Sequence, residues 1–436
     1  MIMRPSPFIL LCSIGLFAIF SSTISKSPVL PLFASHLGAD PSGVGFVASV
    51  SAFAGIIASI PAGILSDRFG RRKMLIFSLI VFSTAPFLYL FVNNIWQLAL
   101  VRFYHGFATA IFVPVMMALV ADLFYHERGE KMGWFSTSTL IGRSMAPIAG
   151  GGIIGIMVFN PDLSYNVVYL VCGLTGIIAL TLIFKLPSSN PPSPPFTKGG
   201  NIDEKSFTKG GNLKAPSLEK GTTPLIPPLK KGDEGGFSEK QSWKETFTSF
   251  KSVISNRLIL ITAGVHAAIL FAYGTFETFL PLYAIKSGLS AYEVGALLSA
   301  QVIAVAITKP MMGRFSDRHG RQSQIFWGAL IGALCIGSFS LFKSFIPLLA
   351  LSILFGLSLS IITSATSAFI ADLSKRETHG SAMGILGSIM DIGQTLGPVV
   401  SGFVALYFGF EKAFIGAALV LIAAAFVFLK SCVLKM

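Results

Sequence analysis

Apolar residues in this chain follow one another in long unbroken runs, separated by short bursts of charge, glycine or proline. A helix needs roughly 20 apolar residues to cross the hydrocarbon core of a bilayer. Counting runs of that order gives twelve spans, at 8–33, 43–65, 74–92, 96–121, 133–157, 166–185, 258–284, 292–313, 325–342, 346–371, 382–407 and 412–430. Closed barrels also satisfy backbone groups in lipid, but their strands alternate over about ten residues, and these runs do not alternate. The pattern predicts an all-α membrane protein with twelve transmembrane helices.

Composition agrees: of 436 residues, 53% are hydrophobic and 12% charged, and the mean hydropathy is +0.73. A soluble domain of that length needs far more surface charge. The net charge of +13 would suggest nucleic acid in a soluble protein, but here its placement follows the membrane, so no nucleic-acid partner is expected. If the spans alternate, Arg4, Arg68, Arg71, Arg72, Lys73, Arg128 and Lys131 fall on one side. Arg314, Arg318, Arg321, Lys375, Arg376, Lys430 and Lys435 fall on that side too, whereas the opposite loops carry Lys286, Lys343 and Lys412. Positive residues mark the cytoplasmic side, so both termini are expected in the cytoplasm. The first span has the look of a signal peptide, with Arg4 before Phe8–Phe20 and small residues after it; the repeat described next argues against cleavage. Cys12, Cys172, Cys335 and Cys432 are scattered, in neither a disulfide framework nor a metal spacing.

"GILSDRFGRRK" from Gly63 returns as "GRFSDRHGRQS" from Gly313, 250 positions later. The same offset pairs Pro31 with Pro281, Gly38 with Gly288, Gly45 with Gly295, Gly106 with Gly356 and Asp122 with Asp372. One residue further in register, Pro147 pairs with Pro398. The chain therefore reads as a six-helix unit used twice, over 1–185 and 246–436. Residues 186–245, rich in Pro, Gly, Lys and Ser, cannot bury enough apolar area to offset their ordering entropy, and read as a disordered cytoplasmic tether. The tether is either a regulatory or partner-binding loop or a tolerated low-complexity insertion. Trp243, Phe247, Phe250, Val253 and Ile254 at helical spacing, opposite Lys240, Lys244 and Lys251, predict a short helix on the inner membrane surface.

Gly63 and Gly313 would let helix backbones approach closely, and Gly70 and Gly320 suit the tight turn between antiparallel helices. Asp67 sits among Arg68, Arg71, Arg72 and Lys73, so a charge-assisted network with Arg71 is expected; the echo keeps Asp317, Arg318 and Arg321 but has Gln322 and Ser323 next. With twelve helices, a six-plus-six repeat, a long central loop and "GxLxDRxGRRK" between spans two and three, the sequence resembles the major facilitator superfamily of secondary transporters over the whole chain apart from the tether. The resemblance implies that Asp67, Arg71 and Asp122 latch the cytoplasmic side while the carrier faces outward, with Asp317, Arg321 and Asp372 as the second set. The plain alternative is a set of charges that only mark topology; Arg or Lys anywhere in the loop would serve that, without Asp and Gly at fixed spacing.

The fifth span carries "GRSMAPIAGG", which is similar to the "GxxxGPxxGG" pattern of the antiporter branch and keeps Gly142, Pro147, Gly150 and Gly151, with Ala146 in place of a glycine. The eleventh carries Gly393, Gly397 and Pro398. Small residues around a proline make a bendable, closely packing helix, a hinge or an ordinary packing seam.

Ionisable residues inside spans each cost at least ~2.5 kcal/mol at the bilayer centre and tend to face a cavity or a partner; Lys26, Arg102, Arg143, His266, Glu277, Lys309 and Asp391 are so placed. The resemblance puts spans one, four, seven and ten around a central cavity, so Lys26, Arg102 and Glu277 would line it. Lys26 is one residue out of repeat register with Glu277, so their depths match. A Lys and Glu pair that closes in one state and opens in the other would couple transport to protons, with Glu277 as carrier. Lys26 otherwise snorkels to the outer surface, as Lys309 would toward the cytoplasm. His266 reads as a hydrogen-bonded helix residue. Arg143 either pairs with Asp391 or meets an anionic substrate; the family arrangement separates the fifth and eleventh spans.

The expectation is a proton-coupled carrier in a bacterial-type plasma (inner) membrane, exporting a small amphipathic compound and functional as a monomer, since one chain holds both halves. The alternatives are an organic-anion carrier and a ligand sensor on the same fold. No nucleophile–base–acid constellation, phosphate-cradling loop or metal cluster points to an enzyme, a cofactor or a metal.

Overall fold

The structure, a computed structural model, describes residues 6–124, 127–186, 255–374 and 379–433. Residues 187–254, which hold nearly all of the expected tether and the expected surface helix, lie outside the described residues. In the first half run α1 (Pro7–Ile24), α2 (Val29–His36), α3 (Pro41–Phe69), α4 (Arg71–Leu88), α5 (Ile95–Leu123), α6 (Arg128–Ile156) and α7 (Pro161–Phe184). In the second half run α8 (Arg257–Lys286), α9 (Ala291–His319), α10 (Arg321–Ser338), α11 (Phe345–Leu373), α12 (His379–Phe408) and α13 (Phe410–Val433). Among the described residues these give twelve spans long and apolar enough to cross a membrane, α1 and α2 together forming the first. The protein is an all-α, multi-pass membrane protein.

The first span departs from the continuous helix expected over 8–33. It breaks between Ile24 and Val29, because Pro28 lacks a backbone donor and its ring clashes with the preceding turn. The equivalent α8 has Thr278 at that position and runs through unbroken.

Repeat register is kept residue for residue in the central helices. α3, α4 and α5 begin and end 250 positions before α9, α10 and α11, apart from a 3-10 turn at Tyr89–Phe91 that is itself repeated at Phe339–Leu341. The hairpin turn between α3 and α4 rests on Gly70 at φ 92°, and its counterpart on Gly320 at φ 88°, where a Cβ would clash with the following carbonyl. Helix starts match too: the Asp40 side chain accepts from the Gly43 N–H, and Ser290 with Glu293 forms a capping box. At Asp40 the donated bonds from the Ser42 hydroxyl and the Gly43 N–H hold the carboxyl below its ordinary range.

Within each half the pairings correspond. α1 packs on α6 and α7, α3 on α5, and α4 on α5 and α7; α8 packs on α12 and α13, α9 on α11, and α10 on α11 and α13. Gly106 lets α5 reach the Ser51 carbonyl of α3, where a Cβ would stand 2.9 Å away, and Gly356 does the same at Gln301 with 2.5 Å. A serine bonds α4 to α5 from one side in the first half, Ser78 Oγ donating to the Ala108 carbonyl at 2.9 Å. In the second half the donor is on the other helix, Ser358 Oγ to the Gly328 carbonyl at 2.8 Å.

The halves meet mainly through two crossings, α3 on α12 and α6 on α9, with smaller contacts of α2 and α3 on α8. Both are tight at the Gly38/Gly288 end: a Cβ on Gly45 would lie 2.1 Å from the Pro398 carbonyl oxygen, on Gly151 2.3 Å from that of Ala291, and on Gly295 2.3 Å from that of Pro147. Toward the Gly70/Gly320 end the same four helices part, and Gly55, Gly133, Gly313 and Gly387 have no atom within 4 Å of a would-be Cβ. The close approach expected at Gly313 is therefore not met, because the helices around it diverge. Gly63 has no described surroundings. The molecule is sealed at one end and open at the other.

Gly45→Val or Gly295→Val is expected to break this seal. With the native cysteines replaced and Thr278→Cys as reporter, labelling by an impermeant maleimide from the Gly38/Gly288 side should rise from background; unchanged labelling would show that the glycine contacts do not hold the end shut.

Candidate functional site

Between the halves lies a cavity of about 610 Å³, lined by α1, α3, α5 and α6 on one side and by α8, α9, α11 and α12 on the other. Lys26, Arg102, Arg143, Glu277 and Asp391 all line it. So do His266 and Lys309.

Lys26 stands in the break between α1 and α2, where the freed chain turns it inward. Its Nζ lies 2.7 Å from Glu277 Oε2 of α8, with the two side chains 28% and 11% exposed. This pair joins the two halves just beneath the sealed end. Taking both charges out of water is costly, and close pairing offsets that cost. The snorkelling alternative for Lys26 is not what the structure has.

Arg102 is almost wholly buried, at 3% exposure. Its Nη1 donates to the Tyr89 hydroxyl at 3.4 Å, which in turn sits 3.4 Å from His105 Nδ1, while Tyr89 stacks on Tyr169 with centroids 4.3 Å apart. Arg102 Nε and His105 Nε2 have no hydrogen-bond partner, and Arg102 makes no ion pair among the described residues. A full charge thus faces the cavity held only by neutral groups.

Across the cavity, His266 Nδ1 meets the Thr366 hydroxyl at 2.7 Å, as the sequence led one to expect. Arg143 and Asp391 form no ion pair among the described residues; they belong to α6 and α12, which are not packed on one another. Lys309 lines the cavity where its position near a helix end had suggested snorkelling. Gln301 and Gln394 are lining residues the sequence reading missed. Their signal was the one used for the charges, a polar side chain inside an apolar span.

The expected hinges are contact surfaces. On α6, Gly142 faces the Leu16 carbonyl and Gly150 faces Ile24 and Val29, while Gly151 turns to α9. On α12, Gly393 and Gly397 face the Ala267 and Phe271 carbonyls of α8, and Pro398 abuts Gly45 and Gly274. Spacing by four residues puts small side chains on one face, where backbones can touch.

At the Gly70/Gly320 end Arg71 pairs with Asp122, and Arg321 Nη1 lies 2.9 Å from Asp372 Oδ2. Each pair ties a hairpin turn to the neighbouring α5 or α11 within one half. The side chains of Asp67, Arg68, Asp317 and Arg318 lie outside the described residues.

Two homologous helical bundles around a shared cavity, closed at one end, define a secondary-carrier fold. The chain belongs to the Major Facilitator Superfamily, which it matches over residues 11–300 and 286–432. It is 22% identical to Multidrug resistance protein 2 of Bacillus subtilis over 91% of this chain and 88% of that one. It is 24% identical to Multidrug resistance protein MdtG of Klebsiella pneumoniae over 90% and 85%. In fold it is similar to a bacterial homolog of the human lysosomal transporter Spinster, crystallised inward-facing and unoccupied, with a TM-score of 0.75 at 15% identity, covering 98% of this chain and 96% of that one. These relatives are transporters, not enzymes, and the protein is a transporter of the superfamily.

Removing one partner of the Lys26–Glu277 pair should cost more than removing both, since it leaves a largely buried charge unpaired. Lys26→Met is expected to lower stability by about 1–3 kcal/mol, discounted for the partial exposure of the lysine. Lys26→Met/Glu277→Leu should recover part of that loss in thermal melts of the purified protein; a double variant no more stable than the single one would deny the coupling.

Proposed function

We propose that this protein is a proton-coupled exporter of small amphipathic compounds that works by alternating access. In this reading it lies in a bacterial-type plasma (inner) membrane as a functional monomer with both termini in the cytoplasm, and the conformation described is the inward-facing one. The multidrug names of its relatives support export. The observation that carries the reading is the Lys26–Glu277 pair, because it bridges the halves at the apex of a cavity open at the other end.

While the outer end is sealed, Glu277 is paired with Lys26. Opening that end pulls α8 away from the break between α1 and α2, and a carboxylate without its cation takes a proton from the newly admitted water. Return to the inward-facing form brings Lys26 back, and the proton leaves toward the cytoplasm as the pair closes. Proton entry is thereby tied to the conformational cycle, and the outward leg carries the substrate.

The Arg71–Asp122 and Arg321–Asp372 pairs support a latch at the cytoplasmic end. They fix the two hairpin turns, so that Asp67 and Asp317 sit at set positions when α3 and α12, or α9 and α6, close on one another.

Glu277→Gln is expected to reduce pH-gradient-driven flux in proteoliposomes to the level of empty vesicles while leaving substrate binding in place; flux undiminished by this change would end the carrier assignment. Asp67→Asn should lower transport several-fold with membrane insertion intact, as read by flux against surface-exposed tag labelling, and unchanged flux would remove the latch.

A further inference from the structure

Four cations line the cavity, Lys26, Arg102, Arg143 and Lys309, against two carboxylates, Glu277 and Asp391. Glu277 is already engaged by Lys26 at 2.7 Å, and Arg102 is settled on Tyr89. Arg143 and Lys309 have no such partner: neither makes an ion pair or a side-chain hydrogen bond among the described residues. Yet they lie within Coulombic reach of each other. His266, whose Nε2 is buried without a partner, is within reach of Lys309, and the Tyr273 hydroxyl is within reach of Arg143.

Two like charges facing one cavity without an anionic partner raise the energy of the empty site. An anion between them lowers it, more so where walls of low dielectric keep water out. Asp391 does not fill that role, since it pairs with neither cation. The surroundings also limit what the anion belongs to: Leu140, Leu270, Val302, Val305, Leu359 and Met390 line the same space, which suits an apolar body attached to one acidic group better than a hydrated inorganic ion.

The position adds a mechanical consequence. Arg143 is on α6 and Lys309 on α9, which are packed together at the sealed end through Gly151, Gly295 and Pro147 and part toward the open end. Arg143 lies one turn beyond Pro147 toward the opening, and Lys309 lies further along α9 in the same direction. A group bonded to both cations spans the gap where the halves separate, so its charge draws the open mouth together.

We propose that the cavity takes the acidic group of an amphipathic organic acid between Arg143 and Lys309, and that this acid is the exported substrate class. The proposal rests on the carrier reading for the word substrate; the binding site itself does not. Binding in the occupied state would place the carboxylate on the two cations and the apolar body against the aliphatic wall.

The full chain in lipid nanodiscs, titrated with 2-naphthoate and with the neutral isostere 2-naphthylmethanol, tests this by calorimetry. The acid is expected to bind about ten-fold or more tightly than the alcohol, the size of one charge-assisted contact. Arg143→Gln and Lys309→Gln should each remove that preference while alcohol binding stays unchanged, which also reports that the variants are folded, and Lys309→Arg should retain it. Equal affinity for acid and alcohol, or a glutamine variant that weakens both ligands alike, overturns the proposal. Inorganic phosphate displacing 2-naphthoate at equal concentration would overturn the organic acid in favour of a free-ion site. Proteoliposome flux of 2-naphthoate separates the two readings: binding as expected without gradient-driven movement defeats the carrier and leaves the anion site, whereas proton-driven movement of the alcohol and not the acid defeats the substrate class and leaves the carrier.

Discussion

The halves of this molecule touch backbone to backbone at one end only, and that constraint organises the rest. At Gly45, Gly151 and Gly295 the facing carbonyl oxygens come so near that any Cβ would overlap them. Lipid offers no hydrophobic drive for helices to associate, so close van der Waals contact between small residues has to supply it. Where the glycines meet carbonyls, water is shut out; where the helices part, it enters. The cavity is simply the volume between the last contact and the opening.

Shutting out water also fixes the electrostatics. Lys26 and Glu277 sit just under the seal, where a lone charge would be expensive and a close pair is tolerable. Tight helix contact and ion pair are therefore one structural unit: parting α3 from α12 and α6 from α9 would wet the pair and remove the reason for its closeness. Arg102 has a different solution. Buried to 3% exposure and making no ion pair among the described residues, it rests on the Tyr89 phenol, which in turn meets His105, and its charge faces the cavity rather than being cancelled.

Much of this was legible in the sequence. Apolar run length gave the spans, the offset of 250 gave the halves, and Gly70 with Gly320 marked the hairpin turns. Lys26 and Glu277 could be brought together because repeat register sets their depths equal and lipid penalises leaving them apart. What the sequence did not reveal was direction around each helix axis. Helices apolar on every side carry no amphipathic stripe to show which face turns inward, so Lys309 read as a snorkelling residue although it lines the cavity, and Arg143 was left a choice of partners that the separation of α6 from α12 removes. Contact at Gly45 and its lack at Gly313 were equally hidden, because a repeat predicts equal surroundings only for a molecule with both ends alike. The break in the first span did have a signal, Pro28 inside the run, which length counting passed over.

Duplication kept the scaffold and let the chemistry diverge. The close approaches of Gly106 to Ser51 and of Gly356 to Gln301 superpose in register, as do the two 3-10 turns. Yet the residues at the register positions of Arg102, His105 and Tyr89 are Ser352, Phe355 and Phe339. In the second half those positions form an apolar cluster, Phe276 packing on Phe339 and Phe355 at centroid distances of 5.4 and 5.2 Å, with the Ser352 hydroxyl buried and unpartnered. One half thus holds a charge beside the cavity through ring and hydroxyl contacts, and its twin fills the same space with rings alone. Residues that keep backbones apart or together are bound by geometry common to both copies, whereas the buried charge of Arg102 has no counterpart at Ser352. Duplication thus fixes how far apart the backbones stand, while the side chains that each copy turns to the shared cavity are free to differ.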